Sequence, residues 1–140
     1  MLQDIDTIIF DLEGTLLDLS RISEGEKALI IPKDILEVVA KVYKLGVVSG
    51  GRRGEVFHAL RATGLSPHFF DSANVVSRED VKEPKPAPEG LLLLASNLSS
   101  QQLLVVGDSE NDRLSAEAAH FLFMWVKDFL AHPIGSTGWQ

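Results

Sequence analysis

The sequence predicts an α/β fold built on a parallel sheet of about five strands with helices on both faces. Short apolar runs alternate with stretches of helical periodicity, which is the pattern of strand–helix–strand units joined by right-handed crossovers. The runs are apolar at consecutive positions, as is typical of strands buried on both faces. Polar and small residues follow the runs, at the edge where such sheets bind ligands. The predicted strands are residues 7–10, 43–48, 74–76, 103–106 and 121–126.

Four helices are predicted between these strands. Pro32 precedes a stripe of aliphatic residues, as proline near a helix start does. Gly64 stands where a helix would end. Pro88 opens a leucine-rich stretch, and the last helical stretch is rich in alanine. The predicted helices are residues 34–42, 53–62, 87–97 and 112–119.

Length, charge and cysteine content narrow the class of protein. The 140 residues, of which 45% are hydrophobic, fit a single domain over residues 1–140. A net charge of −7 argues against nucleic acid or an anionic membrane as the main partner. The lack of cysteine excludes disulfides and thiolate metal sites, and no apolar stretch approaches the ~20 residues that span a bilayer. We therefore expect a soluble cytoplasmic domain.

Carboxylates follow the first and the fourth predicted strands. Asp11 and Glu13 end the first run, and Gly14 permits the tight turn that would aim both at one point. Asp108 and Asp112 follow the fourth run, so four acids are expected to converge. Like charges this close require a cation or raised pKa values. An all-oxygen set indicates Mg²⁺; the alternative is that the acids cap helices and flank turns.

Two further segments could bind an anion. Ser49, Gly50 and Gly51 follow the second strand and offer a hydroxyl and backbone N–H groups at a helix start. The same three residues also make an ordinary turn. Lys85 stands between two prolines and could place its charge on a phosphate, with a solvated loop as the alternative.

Four segments, in this order, resemble the motifs of the haloacid dehalogenase (HAD) superfamily. They are Phe-Asp-Leu-Glu-Gly-Thr-Leu at 10–16, Val-Val-Ser-Gly at 47–50, Lys-Pro-Ala-Pro-Glu at 85–89 and Val-Val-Gly-Asp-Ser-Glu-Asn-Asp at 105–112. The resemblance covers about residues 5 to 126. It implies a Rossmann-like HAD core similar to that of phosphoglycolate phosphatases.

The resemblance also implies a reaction, the Mg²⁺-dependent hydrolysis of phosphomonoesters through an aspartyl-phosphate. Asp11 would be the nucleophile, and Glu13 the acid and then the base. Ser49 and Lys85 complete the implied catalytic set. The implied phosphate-binding residues are Thr15, Ser49, Gly50 and Lys85, and the implied metal ligands are Asp11, Glu13 through its main-chain carbonyl, Asp108 and Asp112.

Two features depart from this superfamily. Residue 13 is Glu where most of its phosphatases have Asp, and the longer side chain shifts the carboxyl group by about 1 Å. Only residues 16–31 separate the first motif from the helix after Pro32, too few for a helical cap domain. The active site would then be open to a phosphorylated small molecule or a larger substrate, or covered by another subunit of a homo-oligomer. Residues 18–27 are a candidate flap or a solvated loop.

Other functions fit parts of the sequence. A catalytically weak HAD-like domain that binds a phosphorylated ligand or protein partner would account for Glu13 and the missing cap. A phospho-accepting receiver domain is excluded by the order of the site residues along the chain. A receiver would have an acidic pair, the acceptor Asp, Ser or Thr and then Lys, whereas the order here is acid, Ser, Lys, acid. The four histidines show no metal spacing. Arg52 and Arg53 clamp an acidic substrate group or start a solvated helix, and Trp139 is a candidate docking or self-association contact.

Overall fold

A five-stranded parallel sheet forms the centre of the computed structural model, which describes residues 4–132. The strands are β1 (Thr7–Phe10), β2 (Lys44–Val48), β3 (Val75–Val76), β4 (Leu103–Gly107) and β5 (Leu122–Trp125). They lie in the order β3-β2-β1-β4-β5, and every pair is parallel. The predicted α/β fold class is therefore confirmed, and β1 is the central strand.

Within residues 4–132, four helices and two stretches of 3₁₀ turns connect the strands, and a fifth helix follows β5. The helices are α1 (Lys33–Ala40), α2 (Arg53–Ala62), α3 (Glu89–Asn97), α4 (Glu110–Ala118) and α5 (Val126–Ala131). The 3₁₀ stretches are Leu19–Ala28, called the turn segment below, and Arg78–Asp80. The bounds of α2 agree with the prediction, whereas α4 begins two residues early. Ser109 accounts for this, because its hydroxyl caps the helix in a capping box with Asp112.

The core lies on both faces of the sheet. Ile8 and Phe10 of β1 pack with residues of α1, α2 and α5, whereas Ile9 packs with residues of α3 and α4. Phe10 and Phe129 of α5 meet edge to face with ring centroids 5.6 Å apart. Burying an aromatic or large aliphatic side chain contributes about 1.5–3 kcal/mol. Because β1 packs on both faces, its place in the sheet is fixed, and this positions Asp11, the residue that follows it.

Between β1 and α1 the chain forms the turn segment and no sizeable cap domain, as predicted. Isolated bridges join Glu13 to Leu17 and Leu17 to Leu29, and the turn segment contacts α2. Within residues 4–132, no helix has the length and hydrophobicity that crossing a bilayer requires. Trp139 lies outside the described residues.

Candidate active site

Four of the predicted site residues meet at the carboxyl edge of the sheet. Asp11 follows β1, Asp108 follows β4, and Asp112 lies in the first turn of α4. Lys85 reaches the same point from the loop that precedes α3. Because β1 pairs with both β2 and β4, the ends of these three strands are neighbours. Three of the four acids expected to converge, Asp11, Asp108 and Asp112, lie together here, and the Lys85 ammonium joins them.

Lys85 is held between two carboxylates. Its Nζ donates to Asp11 Oδ1 at 2.8 Å, to Asp112 Oδ1 at 2.7 Å and to the Val48 carbonyl oxygen at 3.2 Å. Three acceptors match the three hydrogens of an ammonium group. The side chains of Lys85, Asp11 and Asp112 are only 16%, 15% and 2% exposed. These ion pairs are therefore poorly screened by solvent.

Burial and the neighbouring charges shift two pKa values at this point. Burial raises the pKa of Asp11, and the negative charge of Asp112 raises it further. The Lys85 ammonium lowers it, and the net result is a pKa of about 7. Burial works against the charge of Lys85, but Asp11 and Asp112 outweigh it, so the pKa of Lys85 is raised. The lysine therefore stays charged at neutral pH, whereas the Asp11 carboxyl exchanges its proton near neutrality unless a cation binds.

Asp11, Asp108 and Asp112 can hold a metal ion. Each offers a carboxylate oxygen, and these oxygens lie within 4.8 Å of one another. When all three are ionised, the Lys85 ammonium offsets one negative charge and leaves two, which matches a divalent cation. Oxygen ligands without nitrogen or sulfur are those that Mg²⁺ prefers. The residues present therefore fit Mg²⁺.

Asp112 is more constrained than a simple metal ligand would be. Its Oδ2 accepts hydrogen bonds from the backbone N–H groups of Asp108 and Ser109, both at 3.2 Å, while Oδ1 accepts from Lys85. A Cβ at Gly107 would lie 2.6 Å from this carboxylate, so the backbone approaches it closely. Asp112 thus fixes the loop after β4 and orients Lys85.

Asp108 is positioned by the turn that follows β1. The Thr15 hydroxyl donates to Asp108 Oδ1 at 3.3 Å, and Thr15 is fully buried. Gly14 has φ +80°, and a Cβ there would lie 2.0 Å from Asp108 Oδ2. Only glycine combines this conformation with this approach at low cost. Direct contact between Thr15 and phosphate stays a prediction, because its hydroxyl is engaged with Asp108.

The side chain of Glu13 lies outside the carboxylate cluster, so the prediction that four acids converge is wrong in this respect. Its Oε2 accepts a hydrogen bond from the backbone N–H of Leu19 at 2.7 Å. This bond directs the exposed carboxylate toward the turn segment. Glu13 and Asp11 instead line the same cavity. The arrangement suits a proton donor to a group bound in the cavity.

The predicted anion cradle is present only in part. Ser49, Gly50 and Gly51 line the cavity with Asp11, and Ser49 Oγ accepts from the Gly51 N–H at 3.0 Å. A Cβ at Gly50 would meet nothing within 4 Å, so the space above it is open. At the start of α2, however, the Arg53 N–H donates to Glu79 Oε1 at 2.8 Å. A carboxylate of the chain itself thus caps the first N–H of α2, whereas Ser49 and Gly50 face the cavity.

Arg53 and His68 have structural contacts. The Arg53 guanidinium pairs with Asp80 at 3.2 Å and lies 5.1 Å from the centroid of the Phe57 ring. These contacts favour its interpretation as a helix start rather than a substrate clamp. His68 Nε2 lies 2.6 Å from Glu37 Oε1. Among the residues described, no histidine joins a group able to hold a metal.

Sequence reasoning missed the residues that hold the Lys85 loop. Glu89 accepts hydrogen bonds from the backbone N–H groups of Lys82 and Glu83, at 2.9 and 3.0 Å. Ser115 of α4 donates to the Ala87 carbonyl at 2.8 Å. An acidic residue in the first turn of a predicted helix is a signal for the contacts of Glu89. The hydrogen bond from Ser115 to Ala87 joins residues far apart in sequence, and no pattern in the sequence indicates it.

Curated relatives match part of the chain. The chain is 39% identical over 89 residues to the pyrophosphatase PpaX of Bacillus pumilus, an alignment that covers 61% of this chain and 40% of the relative. It is 38% identical over 82 residues to the phosphoglycolate phosphatase of Escherichia coli K12, covering 57% of this chain and 31% of the relative. The chain therefore spans less than half the length of these relatives.

Solved structures share the fold. A HAD-superfamily hydrolase of subfamily IA from Geobacter sulfurreducens superposes with a TM-score of 0.65 at 24% identity, covering 86% of this chain and 88% of the other. CbbY from Rhodobacter sphaeroides, in complex with phosphate, gives a TM-score of 0.68 at 18% identity, covering 86% and 85%. The family model of haloacid dehalogenase-like hydrolases matches residues 29–126. The chain belongs to the haloacid dehalogenase-like hydrolase family.

Proposed function

We propose that this protein is a Mg²⁺-dependent phosphomonoester hydrolase that forms an aspartyl-phosphate on Asp11. The observation that carries the proposal is the unit in which the Lys85 ammonium bridges Asp11 and Asp112 beside Asp108. Phosphoryl transfer depends mainly on positioning and on charge stabilisation, and this unit supplies both. The names of the curated phosphatase and pyrophosphatase relatives support the same reaction class.

Asp11, Asp108 and Asp112 would hold the metal ion, with the main-chain carbonyl of Glu13 as a further ligand. When bound, Mg²⁺ reduces the repulsion between the anionic phosphoryl group and the carboxylate that attacks it. Without a cation, the raised pKa of Asp11 keeps this carboxyl partly protonated near neutrality. A bound cation would favour the ionised form that the attack requires.

The reaction is proposed in two steps. An oxygen of Asp11 attacks phosphorus, the bond from phosphorus to the ester oxygen breaks, and Glu13 gives that oxygen a proton. Glu13 then takes a proton from water, which attacks the phosphorus of the aspartyl-phosphate and releases phosphate and the Asp11 carboxylate. Glu13 suits both steps because it lines the cavity with Asp11.

The phosphoryl oxygens would be bound by the Ser49 hydroxyl, the Gly50 N–H and the Lys85 ammonium. Ser49 uses its oxygen to accept from Gly51, which leaves its own hydrogen free to point toward a ligand. Lys85 contributes charge directly beside Asp11. Thr15 would act through Asp108, whose position its buried hydroxyl supports.

The proposal is tested by phosphate release from acetyl phosphate and benzyl phosphate, with and without Mg²⁺. We expect metal-dependent release by the wild type and a loss of about 10³-fold or more in Asp11→Asn, since removing the nucleophile of a covalent mechanism has effects of that size. Asp128→Asn, on the exposed first turn of α5, is the matched control and should retain activity. Equal metal-dependent release by Asp11→Asn would refute the mechanism.

A catalytically weak domain that binds a phosphorylated ligand is the second candidate. It is favoured by one observation, the hydrogen bond that holds the Glu13 carboxylate at the Leu19 N–H and outside the carboxylate cluster. Glu13→Asp distinguishes the candidates. If the domain is catalytically weak because the longer side chain limits proton transfer, Glu13→Asp will release phosphate faster than the wild type. If Glu13 is the working acid, Glu13→Asp will release phosphate no faster than the wild type.

A further inference from the structure

A cavity of about 530 Å³ opens beside Asp11, between the turn segment and α2. Its volume lies in the range of about 300–1,000 Å³ that is usual for sites that bind small molecules. Asp11, Ser49 and Gly50 are at one side of it. A phosphoryl group bound by these residues would therefore place the rest of its ester inside the cavity.

The walls of this cavity are mainly apolar. Leu19 and Ile22 contribute from the turn segment, and Val56 and Ala59 contribute from α2, with Leu12 nearby. Val56 and Ala59 are 1% exposed, whereas Leu19 is 44% exposed. The exposed Leu19 side chain would lose contact with water when an apolar group enters the cavity beside Asp11, and this favours binding.

The charged side chains that line the cavity are acidic. Glu13 and Glu55 face it together with Asp11, and among the described lining residues there is no lysine or arginine. His58 is the one histidine among these lining residues. Lys85 is engaged with Asp11 and Asp112, and Arg53 is paired with Asp80. A negatively charged leaving group would therefore meet the Glu55 carboxylate without a fixed counter-charge.

The local structure also fixes the apolar wall relative to the proposed acid. The backbone N–H of Leu19 donates to Glu13 at 2.7 Å, and the Asp18 side chain accepts from the Ser20 N–H at 2.9 Å. Leu19 thus stands next to the group that would protonate the leaving oxygen. Leu19 also lines the same cavity as Glu13 and Asp11.

We propose, on the basis of the phosphomonoesterase function above, that the substrate has an apolar leaving group without negative charge, and that the cavity between the turn segment and α2 binds it. This differs from the substrates in the names of the two relatives compared above. Phosphoglycolate releases a carboxylate-bearing alcohol, and pyrophosphate releases a phosphate. Leu19 and Glu55 determine the preference, Leu19 by contact and Glu55 by repelling anions.

The test compares kcat/KM for benzyl phosphate, phosphoglycolate and pyrophosphate, all with Mg²⁺. Benzyl phosphate and phosphoglycolate both release an alcohol, so their intrinsic reactivities are similar. We expect the wild type to prefer benzyl phosphate by about tenfold or more, the size of effect that an apolar pocket provides. Leu19→Ser should lower the ratio of kcat/KM for benzyl phosphate to kcat/KM for phosphoglycolate about tenfold.

Two matched controls separate specificity from general damage. Leu92→Ser changes a leucine on α3 of similar exposure, 49% against 44% for Leu19, and should leave the preference unchanged. Glu55→Lys should raise kcat/KM for phosphoglycolate relative to benzyl phosphate about tenfold, whereas Glu117→Lys on α4 should not. Circular dichroism verifies that each variant folds.

Each outcome bears on a different claim. Turnover with the expected preference, lost in Leu19→Ser but kept in Leu92→Ser, supports the inference. Metal-dependent turnover with equal rates, or with phosphoglycolate or pyrophosphate preferred, overturns the inference and leaves the proposed function standing. No turnover of benzyl phosphate, phosphoglycolate, pyrophosphate or acetyl phosphate overturns the proposed function, and the inference with it.

Discussion

Replacing Lys85 by methionine should destabilise the fold as well as abolish activity. Methionine keeps an unbranched apolar stem but removes the ammonium that donates to Asp11, Asp112 and the Val48 carbonyl. The two carboxylates are 15% and 2% exposed, so each would be left buried with its charge uncompensated. Breaking a buried ion pair by removing one partner costs about 3–5 kcal/mol in the free energy of unfolding.

The size of the loss in the free energy of unfolding of Lys85→Met depends on pH. Since the pKa of Asp11 is raised to about 7, this carboxyl is partly protonated near neutrality. We therefore expect a loss of about 3 kcal/mol at neutral pH without metal, the lower end of the range. Acidification protonates the buried Asp11 carboxyl and so reduces the loss of stability in Lys85→Met. The pKa of Lys85 is raised, so its contribution in the wild type is full at neutral pH and lost only in alkaline solution.

Urea denaturation of wild type, Lys85→Met and Lys41→Met measures this effect. Lys41 is exposed at the end of α1, and its substitution should change the free energy of unfolding by less than about 0.5 kcal/mol. The measurements are made without metal, at neutral and at mildly acidic pH. A loss below about 1 kcal/mol in Lys85→Met at neutral pH would refute the argument, because that is the size expected of an exposed ion pair.

The remaining predictions concern the metal site and the turn that supports it. Mg²⁺ affinity, measured by isothermal titration calorimetry, should rise about tenfold per pH unit below the pKa of about 7 of Asp11 and level off above it, because proton and metal compete for one carboxylate; affinity that does not change across this range would contradict the shift. Gly14→Ala should lower the free energy of unfolding by about 1–3 kcal/mol and weaken Mg²⁺ binding, because a Cβ would lie 2.0 Å from Asp108 Oδ2 at φ +80°. Gly54→Ala is the matched control, since a Cβ there meets nothing within 4 Å and alanine favours helix α2; equal unfolding free energies for the two variants would exclude the close contact.

Most of the fold could be predicted because strands β1 to β4 are buried on both faces and the edge strand β5 is also a run of apolar residues. Strands of this kind are consecutive apolar runs, and all five were found within one or two residues of their bounds. The differences arise where a local contact moves an end. Ser109 caps α4 and starts it before the alanine-rich stretch, a contact that hydrophobic periodicity does not report.

The site could be predicted where it depends on strand ends. Asp11 and Asp108 follow neighbouring parallel strands, so their proximity follows from topology alone. Lys85 was placed by the resemblance in its motif. The orientation of Glu13 could not be predicted, because it depends on a hydrogen bond to the Leu19 N–H in a segment without helical or strand periodicity.

The contacts around α2 were missed because they join distant parts of the chain. Glu79 accepts from the Arg53 N–H across 26 positions, and composition gives no signal for that pairing. The cavity likewise exists only because the turn segment contacts α2. A single domain over residues 1–140, cytoplasmic location and homo-oligomerisation stay predictions.

The most direct test of the account is the mass of the intact protein, acid-quenched during turnover of acetyl phosphate with Mg²⁺. We expect a fraction of the wild type to gain the mass of one phosphoryl group, and peptide mapping to locate that group on Asp11. The gain should be absent in Asp11→Asn. A phosphoryl group on another residue, or turnover in which no quench time captures a phosphorylated protein, would contradict the aspartyl-phosphate mechanism.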